Sequence, residues 1–445
     1  MKNKDLFTVT VGDISNDGQG IGRTDDGAVF FIPGALPGEV VKATLTRQCK
    51  NHALGELVEI VQHSPLRVTP PCHVFGKCGG CTLQHLSYAG QLEYKQKRVR
   101  DCISRIGGLD CDVLFPLPSQ QQYHYRNKAA FPVKPQNGGV DIGLYAYRTH
   151  DVIDISDCII QRPEIAIVMS QLRVWIAKRG VTAYDEATGE GLLRHVVLRT
   201  GLSGEIMLIL VINGEDIPAA DFLISLFKMA LPQVRSIILN HNTQKTNVIM
   251  GDRNTVIMGR DFYFETIDGL EFKVGPGNFL QVNSTQTTAL YNNLLKQAEI
   301  GPDDRVVDLF CGIGTISLLA ARRAKHVTGG EISAQSIENA RFNADLNGIE
   351  NIDFYAGDAG AVLETLPDAD IIIIDPPRKG LDQPLVQAIA NRSPKKIVYV
   401  SCDPATFARD LKAFAALGYL SGTVQPIDMF PQTTHTEVIA VLKRQ

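Results

Sequence analysis

Residues 371–410 read IIIIDPPRKGLDQPLVQAIANRSPKKIVYVSCDPATFARD. Two apolar runs, IIIID and KIVYVSC, flank a helical interval, and each ends in a polar residue followed at once by Pro or Asp-Pro. Unbroken apolar runs of this kind belong to strands buried on both faces of a parallel sheet. Open α/β sheets bind their ligands outside the carboxyl ends of such strands. The two tips therefore bring Asp375 and Cys402 to one edge, and a carboxylate beside a thiol is a pairing for chemistry. Outward from this stretch, residues 301–445 alternate strand and helix: DRVVDLF, GIGTISLLAARR, HVTGGE, SAQSIENARFNADLNG, IDFYAGDA, and after the quoted stretch HTEVIAVL. The alternation predicts a doubly wound parallel sheet with an antiparallel last strand. A helix, TQTTALYNNLLKQAEI, precedes it, with Asn283 or Ser284 as its N-cap.

A chain of 445 residues exceeds one ordinary core, so two or three domains are expected. No run of about 18 apolar residues occurs, and MKNKDLFTVTV lacks a signal-peptide apolar region, which gives the expectation of a soluble cytoplasmic protein with no membrane partner, a monomer by default. Nine cysteines make an odd count for a disulfide framework, and reduced thiols or metal ligands are expected instead. The formal charge of −4 excludes a wholly basic nucleic-acid coat but leaves local basic patches open.

Residues 6–62 alternate short β-rich runs with Gly-rich turns, the pattern of a small OB-like β-barrel, and such barrels bind single-stranded nucleic acid through basic or aromatic faces. Phe30, Phe31, Lys42, Arg47 and Lys50 are available for one. Next comes PPCHVFGKCGGCTLQHLSY, in which Cys72, Cys78 and Cys81 lie close among Pro and Gly. Three clustered thiols need a fourth ligand, and Cys158 in DISDCII is the best placed. Three plus one remote cysteine fits an iron–sulfur cluster better than a four-cysteine zinc site, which usually comes as two close pairs. The role expected of it is structural. The segment 91–106 reads as an amphipathic helix with Leu92, Val99, Ile103 and Ile106 on one face and an excess of Lys and Arg elsewhere, suited to solvent or to RNA phosphate. Residues 123–270 mix strands and helices in an α+β pattern, and Arg126, Lys128, Tyr145, Tyr147, Arg148 and His150 mix cations with aromatics as a face gripping RNA would.

The chemistry sits at the first turn and the last tips of the sheet. In DLFCGIGTIS, residues 308–317, Gly312 and Gly314 allow a sharp turn and a close ligand at a helix N-terminus. The third glycine of a dinucleotide fingerprint is missing. Glu331, ending the next strand, suits the two hydroxyls of a ribose, and Asp358 in AGDA suits adenine. An adenosine without a pyrophosphate describes S-adenosylmethionine. Methylation at C5 of uracil then explains a cysteine at the sheet edge, because that carbon becomes nucleophilic only when a thiolate adds at C6. Cys402, before a helix whose N-terminal dipole is expected to favour thiolate, fits the nucleophile. Glu437 in HTEVIAVL fits the base that removes the C5 proton. Asp375 would position uracil or the cofactor's amino end, and Arg378 and Lys379 would grip phosphate.

The motifs CGGC, F-x-QVN, DLFCGIGTI, DPPRKG, SC-x-PATFARD and HTEV together resemble the RNA uracil-C5 methyltransferase family, in its bacterial 23S rRNA branch with a TRAM domain and a [4Fe-4S] cluster. The run DGQGIGRTDDGAVFFIPGALPGE, residues 17–39, carries the TRAM resemblance. The resemblance implies a nucleophile at Cys402 and a base at Glu437. It implies cofactor contacts at Gln281, Phe310, Glu331 and either Asp358 or Asp375, with Phe279 completing the F-x-Q element. It implies cluster ligands at Cys72, Cys78, Cys81 and Cys158, and RNA as partner, its target base extruded from the fold. Asp403, where some members have Asn, and Gly329-Gly330 are departures. The expected organisation is a TRAM-like barrel over 1–65, an iron–sulfur α+β domain over 66–270 whose helix near 91–106 packs on the catalytic domain, and a Rossmann-like methyltransferase domain over 271–445.

Overall fold

A computed structural model describes residues 6–136 and 139–445, so the first five residues of the expected barrel segment lie outside it. The strands β1 (Leu6–Ile14), β2 (Gln19–Arg23), β3 (Val29–Pro33), β4 (Val40–Gln48) and β5 (Ala53–Gln62) close into a barrel in the order β1-β2-β3-β5-β4. Alternate residues point inward, and Val9, Val11, Phe30, Ile32, Val41 and Ala43 fill the centre. Buried Glu39 leaves the barrel by an ion pair with Arg67, Nε to Oε1 at 2.5 Å, which fixes the chain that enters the cysteine loop.

The helix α1 (Tyr88–Cys102) starts earlier than the sequence pattern suggests, capped by Ser87, and its last turn widens into a π-helical segment at Ile103–Gly107. Its apolar face, Val99 and Ile103, lies in the same core as Phe407 and Leu411 of the C-terminal domain. The short strand β6 (Asp112–Val113) follows it and joins the edge of the C-terminal sheet. The chain thus leaves a structural piece on the catalytic domain before the central domain begins.

The central domain is a seven-stranded sheet in the order β13-β12-β11-β10-β7-β8-β9. Its strands are β7 (Lys128–Gln136), β8 (Gly139–Tyr145), β9 (Val152–Asp154), β10 (Leu193–Thr200), β11 (Ile206–Ile212), β12 (Val234–His241) and β13 (Arg253–Gly259), with α2 (Glu164–Arg179) and α3 (Ala220–Ala230) between them. All seven residues of β11 are buried, for a reason period-2 alternation makes plain. Leu208, Leu210 and Ile212 face Trp175 and Phe227 under the helices, whereas Met207, Ile209 and Val211 enter the core of the C-terminal domain. The pairs β7–β8, β7–β10 and β10–β11 are antiparallel, and β11–β12 is parallel.

A hairpin of β14 (Tyr263–Ile267) and β15 (Leu270–Val274) comes next, and the expected 270/271 boundary cuts through it. Tyr263, Phe272 and Val274 pack in the C-terminal core, so the hairpin belongs there. The helix α4 (Ser284–Ala298) is capped by Asn283, whose side chain accepts from Gln286 N. Then β16 (Arg305–Leu309), α5 (Thr315–Ala321), β17 (His326–Glu331), α6 (Ala334–Leu346), β18 (Ile352–Ala356), α7 (Ala359–Thr365), β19 (Ile371–Ile374), α8 (Gln383–Asn391), β20 (Lys396–Ser401), α9 (Pro404–Ala415), β21 (Tyr419–Leu420), β22 (Thr423–Ile427) and β23 (Glu437–Arg444) build a sheet in the order β18-β17-β16-β19-β20-β23-β22-β6, with β21 on β23. Five parallel strands and an antiparallel β23 make the doubly wound layer read from the sequence. Ile371–Ile374 is buried on both faces, with Ile371 and Ile373 in one core and Ile372 and Ile374 in the other. Among the described residues no helix is long and apolar enough to cross a membrane.

Candidate active site

Each strand tip presents one chemical group at a single edge. At the β16 tip Phe310 is held at φ +67°, and Gly312 and Gly314 at +56° and +84°, which turns the chain sharply into α5. Gly314 is needed for space as well, since a Cβ there would lie 3.0 Å from Phe354 Cζ. The same phenyl ring explains Gly329, where a Cβ would approach it to 2.6 Å. Glu331, ending β17, accepts from Gly312 N through Oε2 at 3.2 Å and from Ser333 N through Oε1 at 2.9 Å. Its carboxylate is thereby fixed across the mouth of the turn. Asp358 serves α7 as N-cap, accepting from Gly360 N at 3.0 Å, so of the two acids its orientation is set by a helix end.

Two features were missed in the sequence. Asp308 is fully buried behind the turn, holds Ser317 Oγ at 2.5 Å, and leaves Oδ1 without a partner among the described residues. Burial pushes its carboxyl up to about 7. A buried, unpaired carboxylate oxygen is costly and belongs where a ligand donor will meet it. Arg199, buried in the central sheet, donates to the carbonyls of Gly275, Pro276 and Asn278 at 2.6–3.0 Å. It thereby shapes the loop that carries Phe279, which is 70% exposed, and Gln281, which is buried. The contacts run from residue 199 to residues 275–278, and no local motif signals them.

At the other half of the edge, β20 and β23 pair from Lys396↔Lys443 to Ser401↔Val438. One further step of that register sets Cys402 opposite Glu437, the separation at which cross-strand side chains meet. Asp403 Oδ1 accepts from Ala405 N at 2.9 Å and Thr406 N at 3.0 Å, so the acid at this departure from Asn caps α9 and fixes the turn after Cys402. Glu437 is fully buried, with Oε2 unpartnered among the described residues. Burial pushes its carboxyl up to about 8, and the nearby Asp375 adds to the shift while Arg378 opposes it. Burial likewise raises Asp375 to about 7.

The expectation that the helix dipole lowers the Cys402 thiol is corrected here. Burial raises it to about 11, and Glu437 and Asp375 add to the rise; Arg378 pulls the other way. Desolvation of the thiolate is the dominant cause, with the two acids secondary. Arg378 is exposed, in a loop tied to α9 by Thr406 Oγ1 to Arg378 O at 3.1 Å and Arg409 to Lys379 O at 3.0 Å. Arg378, Arg98, Lys95 and Arg126 all act electrostatically on His435, which burial and these cations push down to about 4. Arg126 and Arg378, from distant segments, therefore share one basic neighbourhood around His435, two residues before Glu437, with Arg98 of α1 as a third member.

The four cysteines form a second centre. Cys72, Cys78, Cys81 and Cys158 line one cavity with Val74, Phe75, Leu144, Ile155 and Ile160. All nine cysteines of the chain are free thiols. Burial raises Cys78 and Cys158 and pushes Cys81 up to about 12. Among the described residues no three His, Cys, Asp or Glu side chains converge closely enough to hold a single metal ion. The sulfurs are nevertheless met by donors: Gly80 N to Cys78 at 3.3 Å, and the backbone N–H groups of Ile160 and Gln161 at Cys158. The buried Gln84 side chain, hydrogen-bonded to the Cys81 thiol, lines the same cavity. Such a donor set suits sulfur-rich anionic groups wider than one ion.

Residues 5–58 match the TRAM domain model and residues 300–414 a methyltransferase domain model. The chain is 43% identical to an uncharacterized RNA methyltransferase of Halalkalibacterium halodurans, over 100% of this chain and 98% of that protein. It is 41% identical to another of Clostridium tetani, over 99% and 97%. The crystal structure of Pyrococcus abyssi tRNA (uracil-54, C5)-methyltransferase in complex with S-adenosyl-L-homocysteine superposes with a TM-score of 0.79 at 28% identity, covering 98% of this chain and 100% of that one. With whole-length relatives at this identity, the chain belongs to the RNA methyltransferases.

Proposed function

We propose that the protein transfers a methyl group from S-adenosylmethionine to C5 of a uridine in 23S rRNA. The observation that carries the reading is the β20–β23 register, which sets Cys402 opposite Glu437 at the same edge as the glycine turn and Glu331. Phe310, Gly312 and Gly314 leave room for the cofactor, Glu331 takes its ribose hydroxyls, and Gln281, Asp308 and Asp375 surround the remainder, with Asp358 at the adenine end. Bound there, the cofactor supplies an electrophilic methyl carbon. Cys402 releases its proton to solvent and adds as the thiolate to C6 of the uracil, and electrons move to C5, which takes the methyl group. Glu437 then removes the C5 proton, the double bond reforms, and the thiolate leaves. A carboxyl raised to about 8 is a stronger base than an ordinary carboxylate once ionised, a form it gains as pH rises through about 8. Arg126, Arg378 and Lys379 steady the phosphates of the extruded nucleotide, and Phe279 offers a face for a base.

The cysteine cavity fits a [4Fe-4S] cluster held by Cys72, Cys78, Cys81 and Cys158, with a structural role. Purified protein prepared without oxygen should be brown and carry iron; a colourless zinc protein would remove the cluster and leave the catalytic reading intact.

One observation favours a second substrate. The Pyrococcus abyssi enzyme that superposes over the whole chain acts on tRNA. Labelled cofactor with 23S rRNA or tRNA transcripts, followed by mapping of 5-methyluridine, separates the two. Methylation of tRNA alone would replace the rRNA assignment, and methylation by Cys402→Ala at the wild-type rate would end the covalent mechanism.

A further inference from the structure

Glu437 opens β23, and the segment before it, residues 428–436, has neither helix nor strand. Its shape is imposed by distant parts of the chain. From α1, Lys95 Nζ meets Asp428 Oδ1 at 2.5 Å with both side chains fully buried, and Lys95 also donates to Phe430 O at 3.1 Å. Tyr88 donates to Asp428 Oδ2 at 2.9 Å, and Arg98 to Thr434 O at 2.5 Å. From the cysteine loop, the N–H groups of Thr82 and Leu83, directly after Cys81, both donate to Gln432 O at 3.0 Å, and Thr82 Oγ1 accepts from Thr434 N at 3.2 Å. From the central domain, Tyr125 donates to Pro431 O at 3.0 Å.

Gln432 is the focus. It is 1% exposed and held at φ +70°, a left-handed conformation that a non-glycine residue keeps only where its surroundings over-determine it. They do so here: Gln432 N donates to Gln91 Oε1 at 2.9 Å, and Gln91 Nε2 donates to Gln432 Oε1 at 3.0 Å. The same Gln91 amide donates to Leu83 O at 3.1 Å and Leu86 O at 2.9 Å. One side chain therefore fastens the segment before the base to the segment after the cysteines. Nothing in the glutamine pair touches the cofactor loop or Cys402.

We propose that Gln432, clamped by Gln91 and by Thr82 and Leu83, is a positioning residue for Glu437, with the cysteine loop as the rigid bracket. The inference rests on the covalent reading above. The step it governs is the last: Glu437 takes the C5 proton, the C5–H electron pair reforms the C5–C6 bond, and the C6–S bond breaks, returning its electrons to Cys402. A displaced Glu437 leaves addition and methyl transfer in place and stalls the enzyme as a methylated protein–RNA adduct.

The test uses full-length protein with ordinary uridine RNA and with 5-fluorouridine RNA. Gln91→Met keeps the volume and removes every amide contact. It is expected to lower kcat about tenfold with KM for RNA changed by less than about twofold. It is also expected to leave a denaturant-resistant protein–RNA adduct on ordinary uridine, which wild-type protein resolves. Thr82→Val, at a half-buried site, should show the same adduct more weakly, and Thr82→Ser should clear it. Loss of turnover without adduct overturns the proposal, as does unchanged turnover in both Gln91→Met and Thr82→Val. If a melting curve shows that Gln91→Met does not fold, the Thr82→Val and Thr82→Ser pair decides alone. Failure of wild-type protein to be trapped by 5-fluorouridine RNA would instead fell the covalent reading, so the two failures are distinguishable.

Discussion

The two halves of the active-site edge are held in place by opposite means. The cofactor half is local: Glu331 is fixed by Gly312 N and Ser333 N, and Gly314 and Gly329 make room for the Phe354 ring, all within three neighbouring strands, β16 to β18. The base half is remote. Glu437 has Cys402 across the register, but the segment that delivers it is gripped by Lys95, Gln91 and Thr82 from the N-terminal part of the chain. On the proposed reading, the ribose side of the cofactor site is therefore built from neighbouring strands of one sheet, whereas proton removal depends on the assembled molecule. The largest expected effect tests whether the chemistry divides as the geometry does. Cys402→Ala should lower turnover by about 10⁴-fold or more, because no other side chain at the edge can add to C6. Glu437→Gln should lower it by about 10³-fold while accumulating adduct. Quantitative gels and turnover assays on one RNA read both outcomes, and adduct formation by Cys402→Ala would break the division of roles.

The second effect is on stability. Lys95 and Asp428 are fully buried and meet at 2.5 Å, and burial pulls the ammonium below its usual range against the attraction of Asp428. Removing one partner leaves the other as an unpaired buried charge. Lys95→Met should cost about 3–5 kcal/mol in urea unfolding. Adding Asp428→Asn should recover part of it, since the remaining carboxamide still accepts from Tyr88. If the single variant is as stable as the parent, the base half is not braced by this pair.

How much of this was legible in the chain follows the same division. Gly312, Gly314 and Glu331 stand in one strand-turn-helix-strand unit, so periodicity and spacing located them, whereas Asp308 in the same motif was passed over because its unpartnered oxygen shows only in the fold. The Cys402 and Glu437 tips were legible because Cys402 ends one apolar run and Glu437 opens another, and the pattern shows the strand type of each. The partners of residues 428–436 were not, because glutamines and a lysine on an amphipathic helix look like a solvated face; Lys95 is buried only because Asp428 arrives from the far end of the chain. The same reason hid Arg199, whose guanidinium reads as a surface charge on a strand until residues 275–278 fold over it. The thiol of Cys402 was misjudged because a helix N-terminus is visible in sequence, whereas the burial of the thiol and the acids that come to lie beside it are not.

The third effect isolates the cofactor half. Glu331→Gln keeps the shape but weakens the acceptor that receives Gly312 N and faces the ribose site. Cofactor affinity by titration calorimetry should fall about tenfold to a hundredfold, in line with loss of one or two charge-assisted hydrogen bonds. At saturating cofactor, trapping on 5-fluorouridine RNA should return to near the parent level, because the base half is intact. A trap that stays lost at saturation would mean that the two halves are coupled after all.

The smallest effect is a dependence of stability on pH. Folding raises Glu437 from 4.5 to about 8 and Asp375 from 3.8 to about 7, so the folded chain binds protons that the unfolded chain has released. Their contribution to stability is fully present below about pH 4 and is lost as pH rises through about 8. The shifts set an upper bound, and relaxation around the site reduces it, so the expected loss from Glu437 is about 1–2 kcal/mol between pH 5 and pH 8. Glu437→Gln cannot titrate and should flatten the urea-derived profile by that amount, becoming more stable than the parent at pH 8. The same titration places Glu437 in the wrong form for proton removal at low pH, so the rate of adduct resolution should rise with pH through about 8 while cofactor binding by the local half stays level. A profile unchanged in Glu437→Gln would mean that this carboxyl is not the group whose proton the fold retains, and the base would have to be sought among its buried neighbours, beginning with Asp375.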